Sequence, residues 1–137
     1  MSKIIGLTCG VFDYTIHKGH IEFLKMCNML CDELYIAVVP DCVCEQIKRK
    51  SYYIQEVREQ NLIDTGLVRG CIDFSVGLYS EIVKFDFDLY VFGKDQGGNI
   101  WTRELVALLF DLGIPTISTF EERIESTSDL LRTIGYI

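Results

Sequence analysis

The chain has 137 residues, 49% of them hydrophobic and 12% aromatic, with 20 acidic and 13 basic side chains and a formal charge of −7. That length suits a single domain, residues 1–137, able to bury a core of its own, and the composition excludes a disordered chain. No apolar run approaches the roughly 18 residues that span a bilayer. The start MSKIIGLTCG lacks the build of a secretory leader, and an acidic whole argues against a nucleic-acid partner, so a cytoplasmic domain that binds neither nucleic acid nor membrane is expected.

Lys3 to Thr8 (KIIGLT) reads as a buried strand, and Gly19 to Cys31 as a helix whose stripe takes Ile21, Leu24, Asn28 and Cys31, widened by Phe23, Met26, Cys27 and Leu30. Leu34 to Val39 is a second strand, closed by Pro40 and Asp41, and Tyr52 to Thr65 a helix ended by Gly66. A short strand (Cys71 to Val76), a short helix (Ser80 to Phe85) and a strand (Leu89 to Phe92) follow, then a glycine-rich loop, Gly93 to Asn99. Thr102 to Leu112 is helical up to Gly113, Ile114 to Thr119 is a last strand, and Ser126 and Asp129 have the spacing that opens a final helix. Strands apolar on both faces and separated by helices predict an α/β fold: a Rossmann-like, doubly wound, mostly parallel five-stranded sheet with helices on both faces. In such folds ligands bind at the carboxyl ends of the strands. The loops Gly10–Gly19 and Gly93–Asn99 and the basic run Ile47–Lys50 (IKRK) fall at that edge, and so local a basic patch suits one small anionic ligand.

The six cysteines are Cys9, Cys27, Cys31, Cys42, Cys44 and Cys71. Cys27 and Cys31 together with Cys42 and Cys44 offer four thiolates for zinc, but the C-x₂-C spacing of zinc knuckles is missing. Reduced, buried small hydrophobes are the preferred reading.

The two histidines of the chain, His17 and His20, lie in GVFDYTIHKGHIEFL, Gly10 to Leu24. Gly19, without a Cβ, lets backbone approach a ligand closely. A helix start there offers free N–H groups and a positive dipole end suited to phosphate. Two imidazoles at that start suit donation of hydrogen bonds to a transferring phosphoryl group. A histidine cap with a second, solvent-facing histidine is the purely structural alternative, and a metal pair assisted by Asp13 is a weaker one.

The same stretch resembles the signature of the cytidylyltransferase-like nucleotidyltransferases, in which strand one runs into G-x-F-D, then H-x-G-H, then a helix. KRKSYYIQEVREQNLI (Lys48 to Ile63), VFGKDQGGN (Val91 to Asn99) and IESTSDLL (Ile124 to Leu131) are similar, in order, to the family's basic loop and helix, its G-x-D loop and its I-S-T-T segment. Size and segments are most similar to the glycerol-3-phosphate cytidylyltransferases within that family. The resemblance implies transfer of CMP from CTP to a small phosphorylated alcohol such as glycerol 3-phosphate, with release of pyrophosphate. It leaves open an ATP-using adenylyltransferase with a flavin or sugar-phosphate acceptor, or a nucleotide-binding regulatory domain with weak catalysis. It implies catalytic roles for His17, His20 and Lys50, and nucleotide contacts from Gly10, Val11, Phe12, Gly19, Ser126, Thr127 and Ser128. Asp13, Lys48, Arg49, Arg58 and Asp95 would serve the acceptor or the phosphates. Mg²⁺ would ride on the triphosphate with no side-chain ligand, and the chain would pair as a homodimer. Without the resemblance, Lys48–Lys50 is equally a solvated charge run, and the alternative for Arg58 is a surface residue paired with Glu56 or Glu59 on an exposed helix face. Three departures stand out: three residues (Tyr14, Thr15, Ile16) rather than two precede H-x-G-H, Glu121 and Glu122 replace the family's Arg-Thr with Arg123 two positions off, and Glu125 precedes the serine run.

Overall fold

Five short strands form one parallel sheet in the computed structural model, which describes residues 3–14, 16–47, 50–72, 79–93, 100–119 and 131–136. They are β1 (Ile5–Gly10), β2 (Glu33–Val38), β3 (Gly70–Ile72), β4 (Leu89–Phe92) and β5 (Thr116–Ser118), arranged β3-β2-β1-β4-β5. All four pairings are parallel. The chain winds outward from β1 to β3, returns to the centre, and winds the other way through β4 and β5. The strand order therefore reverses between β1 and β4, which makes their carboxyl ends the switch point of the sheet.

The helices are α1 (Lys18–Leu30), α2 (Asp41–Ile47), α3 (Gln55–Asp64), α4 (Tyr79–Lys84) and α5 (Ile100–Asp111). Side chains alternate across the strands, so each strand feeds two cores. Leu34, Ile36 and Val38 of β2 and Leu89 and Val91 of β4 join Phe23, Leu24 and Cys27 of α1 and Leu62 of α3 on one face. Leu7 of β1, Ala37, and Tyr90 of β4 join Val43 and Cys44 of α2, Ile82 of α4, and Leu105 and Leu109 of α5 on the other. The doubly wound expectation is met. Cys27 and Cys44 lie in different cores on opposite faces of the sheet, so the four-thiolate zinc reading fails and both thiols are small hydrophobes.

Two sequence expectations are corrected. The segment after Pro40 is not only a turn: Val43 and Cys44 both donate to the Pro40 carbonyl and α2 begins there. Its seven residues are too few for periodicity to reveal. The apolar stripe of α1 is narrower than expected, because Leu30 is exposed and Asn28 is polar in role as well as kind. The Asn28 amide donates to the carbonyls of Leu24 and Leu67, 3.0 and 2.7 Å, and so ties α1 to the loop after α3. Strand and helix ends otherwise move by a few residues. The expected helix opening at Ser126 and the second half of the third strand lie outside the described residues.

Close approach at two places fixes α1 over the sheet. A Cβ on Gly6 would stand 2.7 Å from Cys31 Sγ, so only glycine in β1 admits the end of α1 at this distance. At the other end, the fully buried Arg58 of α3 draws three segments together. Its Nε donates to the Tyr53 carbonyl (3.1 Å), its Nη1 to the Val11 carbonyl (2.8 Å) and its Nη2 to the Asp41 carboxylate (2.7 Å). The strand-one exit, the start of α2 and the start of α3 are thus held by one guanidinium. The reading of Arg58 as a surface residue paired with Glu56 or Glu59 is overturned, because a planar fork with several donors satisfies buried carbonyls that a solvated cation would leave unpaired.

Partial burial works to raise the Asp41 pKa, but the Arg58 guanidinium, the Gln55 N–H and the Ser51 hydroxyl outweigh it and hold the carboxyl below its ordinary 3.8. A depressed folded-state pKa contributes stability that is present above the ordinary value and lost as pH falls through the folded one. Acid denaturation of the Asp41→Asn protein should therefore be less steep from about pH 4 downward, with stability at neutral pH lower by about 1–2 kcal/mol, read by urea melts across pH.

Candidate active site

β1 ends at Gly10, and its exit loop delivers the chain to the start of α1 at the switch point. His17 is the residue before the helix, with extended backbone (φ −106°, ψ 178°). Its Nδ1 accepts from the N–H groups of Gly19 (3.0 Å) and His20 (3.4 Å), while His20 Nδ1 accepts from the His17 N–H (3.3 Å). The two imidazoles do what Ser and Glu do in a capping box. Their rings stack with centroids 3.7 Å apart and planes 21° from parallel.

This arrangement decides the tautomer. A neutral imidazole whose Nδ1 accepts carries its proton on Nε2. Both histidines therefore use one nitrogen for the helix start and keep an N–H donor on the other. The histidine cap of the structural alternative is present, made by Nδ1 of both rings.

The loop before them is shaped at a cost. Phe12 (φ +49°) and Tyr14 (φ +60°) both lie in the left-handed region, which non-glycine residues rarely enter. Between them Asp13, only 1% exposed, accepts from the N–H groups of Tyr14 (2.8 Å), Tyr53 (2.9 Å) and Tyr52 (2.6 Å). One carboxylate thus ties the strand-one loop to the segment before α3. The strain at Phe12 brings its ring to 5.2 Å from that of His20. A Cβ on Gly10 would stand 2.5 Å from Phe12 Cε2, so Gly10 makes room for this ring.

Of the predicted site residues, Gly10, Val11, Phe12, Asp13, His17, Gly19 and His20 fall in this one loop and helix start. Val11 meets Arg58 through its carbonyl, and Arg58 is committed to structural partners in the interior. Lys50 is exposed, and its carbonyl accepts from the Tyr136 hydroxyl (3.2 Å). Lys48, Arg49, Asp95, Ser126, Thr127 and Ser128, with Glu121, Glu122, Arg123 and Glu125, lie outside the described residues. Sequence reasoning passed over Asp41 and the tyrosines Tyr14, Tyr52, Tyr53 and Tyr136, although the Tyr52-Tyr53 doublet beside a basic run was a visible signal.

Two chemistries can be weighed. Cys9, at the carboxyl end of β1, has its pKa pushed by burial to about 12, so it is a neutral thiol and a poor nucleophile at physiological pH. Among the described residues no three His, Cys, Asp or Glu side chains converge as a metal site, and both Asp13 oxygens already accept backbone N–H groups. What remains is a helix start with two N–H-bearing imidazoles, an arrangement suited to an anion.

No family model matches the chain. Relatives do. The chain is 30% identical over 91 residues to the FAD synthase of Aciduliprofundum boonei, covering 66% of this chain and 60% of that relative's length. It is 33% identical over 100 residues to the glycerol-3-phosphate cytidylyltransferase of Staphylococcus aureus, 72% of this chain and 74% of the relative. The FAD synthase of Picrophilus torridus is 27% identical over 133 residues, 93% and 94% of the two chains. Among solved structures, the lipopolysaccharide core biosynthesis protein from Thermoplasma volcanium superposes with a TM-score of 0.76 at 24% identity, covering 88% of this chain and 99% of that one, which supports the fold. The fold is thus that of a parallel, Rossmann-like α/β domain. The chain belongs to the cytidylyltransferase-like nucleotidyltransferase family and is an enzyme of nucleotidyltransferase type. No helix among the described residues is long and apolar enough to cross a membrane.

The two nitrogens of His17 can be separated by mutation. Asparagine is a strong helix cap and keeps an acceptor for the Gly19 N–H, but it lacks the imidazole Nε2–H. His17→Asn should leave thermal stability nearly unchanged and lower turnover about 10²–10³-fold, whereas His17→Ala should lose both turnover and about 1 kcal/mol of stability.

Proposed function

We propose that the chain transfers a nucleotidyl group from a nucleoside triphosphate to a phosphomonoester acceptor at the α1 start. The observation that supports this best is the reciprocal imidazole cap at the switch point, in which Nδ1 of each ring accepts a backbone N–H and so sets the Nε2–H tautomer of both at one helix N-terminus. An oxygen of the acceptor phosphate attacks the α-phosphorus of the triphosphate. A new P–O bond forms, the bond to the bridging oxygen breaks, and pyrophosphate leaves with that electron pair. His17 and His20 donate to the α-phosphate oxygens as charge builds there, and the helix dipole adds to the same field. Their tautomers are set beforehand by backbone N–H groups, so little reorganisation is needed when the charge develops.

No side chain is required as a nucleophile, since the acceptor phosphate fills that role and the work is positioning and electrostatics. Magnesium carried on the triphosphate would supply further charge neutralisation, and the Asp13 carboxylate is already occupied with backbone donors. Lys50, exposed on the surface, is the proposed cation for an anionic substrate on the family resemblance, and Lys48 and Arg49 adjoin it in sequence. Ser126–Ser128 and Asp95 are proposed phosphate and substrate contacts on the resemblance alone.

Two substrate pairs follow from the relatives: CTP with glycerol 3-phosphate, and ATP with a flavin phosphate. The first matches the resemblance read in the sequence. The second is favoured by the FAD synthases among the relatives. A homodimer in the cytoplasm belongs to either reading. Pyrophosphate release should be measured with Mg²⁺ and each of CTP, ATP, GTP and UTP against glycerol 3-phosphate, riboflavin 5′-phosphate and sugar phosphates. At least one pair should turn over; pyrophosphate release with none of them would contradict the proposal.

A further inference from the structure

We infer that Tyr136 is a positioning residue for Lys50: its hydroxyl clasps the backbone of Lys50 and Ser51 and sets the point from which the lysine reaches a phosphate-bearing substrate. This deepens the nucleotidyl-transfer reading and rests on it. Residues 50–54, between α2 and α3, form neither helix nor strand, so their backbone groups must find partners elsewhere. From the Ser51 side chain onward the ties come from the loop after β1 and the starts of α2 and α3. The Ser51 hydroxyl donates to the Asp41 carboxylate (3.2 Å), the Tyr52 and Tyr53 N–H groups to Asp13, the Gln55 N–H to Asp41 (3.2 Å), and Arg58 Nε to the Tyr53 carbonyl. The Lys50 and Ser51 carbonyls, at the end that joins the basic run, are met instead by Tyr136. Its one O–H is shared between them, at 3.2 and 3.0 Å.

The local structure that delivers Tyr136 is specific. Residues 131–133 are helical and anchored by the fully buried Leu131. Gly135 takes φ +80°, its N–H donates to the Arg132 carbonyl (3.0 Å), and the Tyr136 N–H donates to the Leu131 carbonyl (2.9 Å). These are the two bonds of a Schellman cap, which ends a helix by turning the chain back at a glycine. The turn brings Tyr136 onto Tyr52, with ring centroids 5.0 Å apart and planes at 65°. Ring and hydroxyl thus hold the segment before α3 at two points.

Packing does not account for this residue. Tyr136 is 37% exposed and belongs to neither hydrophobic core of the sheet. At so open a place water replaces a lost hydroxyl at little cost, so the two bonds add little to stability. Their effect falls on Lys50. A lysine is a point charge on a flexible four-carbon stem, and it loses freedom when it meets an anion. Holding its carbonyl leaves the stem mobile but fixes the backbone from which the stem swings. That part of the ordering is then complete before substrate arrives.

The test is Tyr136→Phe, which keeps the ring on Tyr52 and removes the donor. Hydrogen exchange reads the order of residues 50–53. Calorimetry with Mg²⁺ reads the binding of CTP, ATP, glycerol 3-phosphate and riboflavin 5′-phosphate, and pyrophosphate release reads KM and kcat. Tyr136→Phe should melt at nearly the wild-type temperature and exchange faster at the Ser51 and Tyr52 amides. Lys50→Gln should weaken binding of at least one of the four ligands. For that ligand Tyr136→Phe should lower affinity about three- to tenfold, the worth of one net hydrogen bond, and raise KM to match with little change in kcat. Added to Lys50→Gln, it should have little further effect, because the residue it positions is gone. Affinity and KM unchanged by Tyr136→Phe, an equal loss with and without Lys50, or no ligand weakened by Lys50→Gln would overturn the positioning role. A Lys50-dependent loss of affinity in Tyr136→Phe, with no pyrophosphate released by the wild type from any triphosphate, would leave Tyr136 its role and refute the transfer reaction instead.

Discussion

The structure depends on the mutual cap at the start of α1. Every helix begins with backbone N–H groups that lack a partner within the helix. Here they are met by two imidazoles, each accepting through Nδ1, one from its neighbour's backbone and the other from the helix itself. That choice fixes where the helix starts, which tautomer each ring adopts, and where the remaining donors are. Serine and glutamate would cap the helix as well, but they would not leave a pair of neutral N–H donors at its positive end.

The rest of the fold serves to hold that helix start at the edge where the strand order reverses. Gly6 lets the far end of α1 settle against β1. Asn28 ties the helix to the loop after α3. Arg58 and Asp13 then lock the strand-one loop from outside: one through the Val11 carbonyl and Asp41, the other through the backbone of Tyr52 and Tyr53. Both are charged groups in the interior, and each is paired with several partners, which is the condition under which burying a charge is tolerable. The strain at Phe12 and Tyr14 is sustained by these ties. A loop held this firmly suits chemistry that relies on preorganised donors more than on a reactive side chain.

Much of this was legible in the sequence. Apolar strands alternating with helices predicted a parallel doubly wound sheet, and the lone pair of histidines in a strand–loop–helix context pointed to the helix start that the two rings cap. What escaped the sequence has specific causes. The α2 helix is one and a half to two turns long and carries no periodic stripe. Asp13 and Arg58 look like ligands for phosphate because their charge is visible and their burial is not. Only the fold reveals that Asp13 accepts from the backbone of Tyr14, Tyr52 and Tyr53, and that Arg58 donates to the Tyr53 and Val11 carbonyls and to the Asp41 carboxylate. Tyr14, Tyr52 and Tyr136 are far apart in the chain, so their meeting is a product of topology that no local pattern records.

In the proposed reaction each imidazole divides its labour, Nδ1 to the helix and Nε2–H to the nucleotide. Nitrogen-15 NMR of the histidine side chains, recorded before and after addition of a nucleoside triphosphate with Mg²⁺, tests it most directly. Both rings should carry the proton on Nε2 in the free protein. On addition of nucleotide both Nε2–H signals should shift while Nδ1 stays an acceptor. Rings protonated at Nδ1 in the free protein, or imidazole signals untouched by every triphosphate, would contradict it.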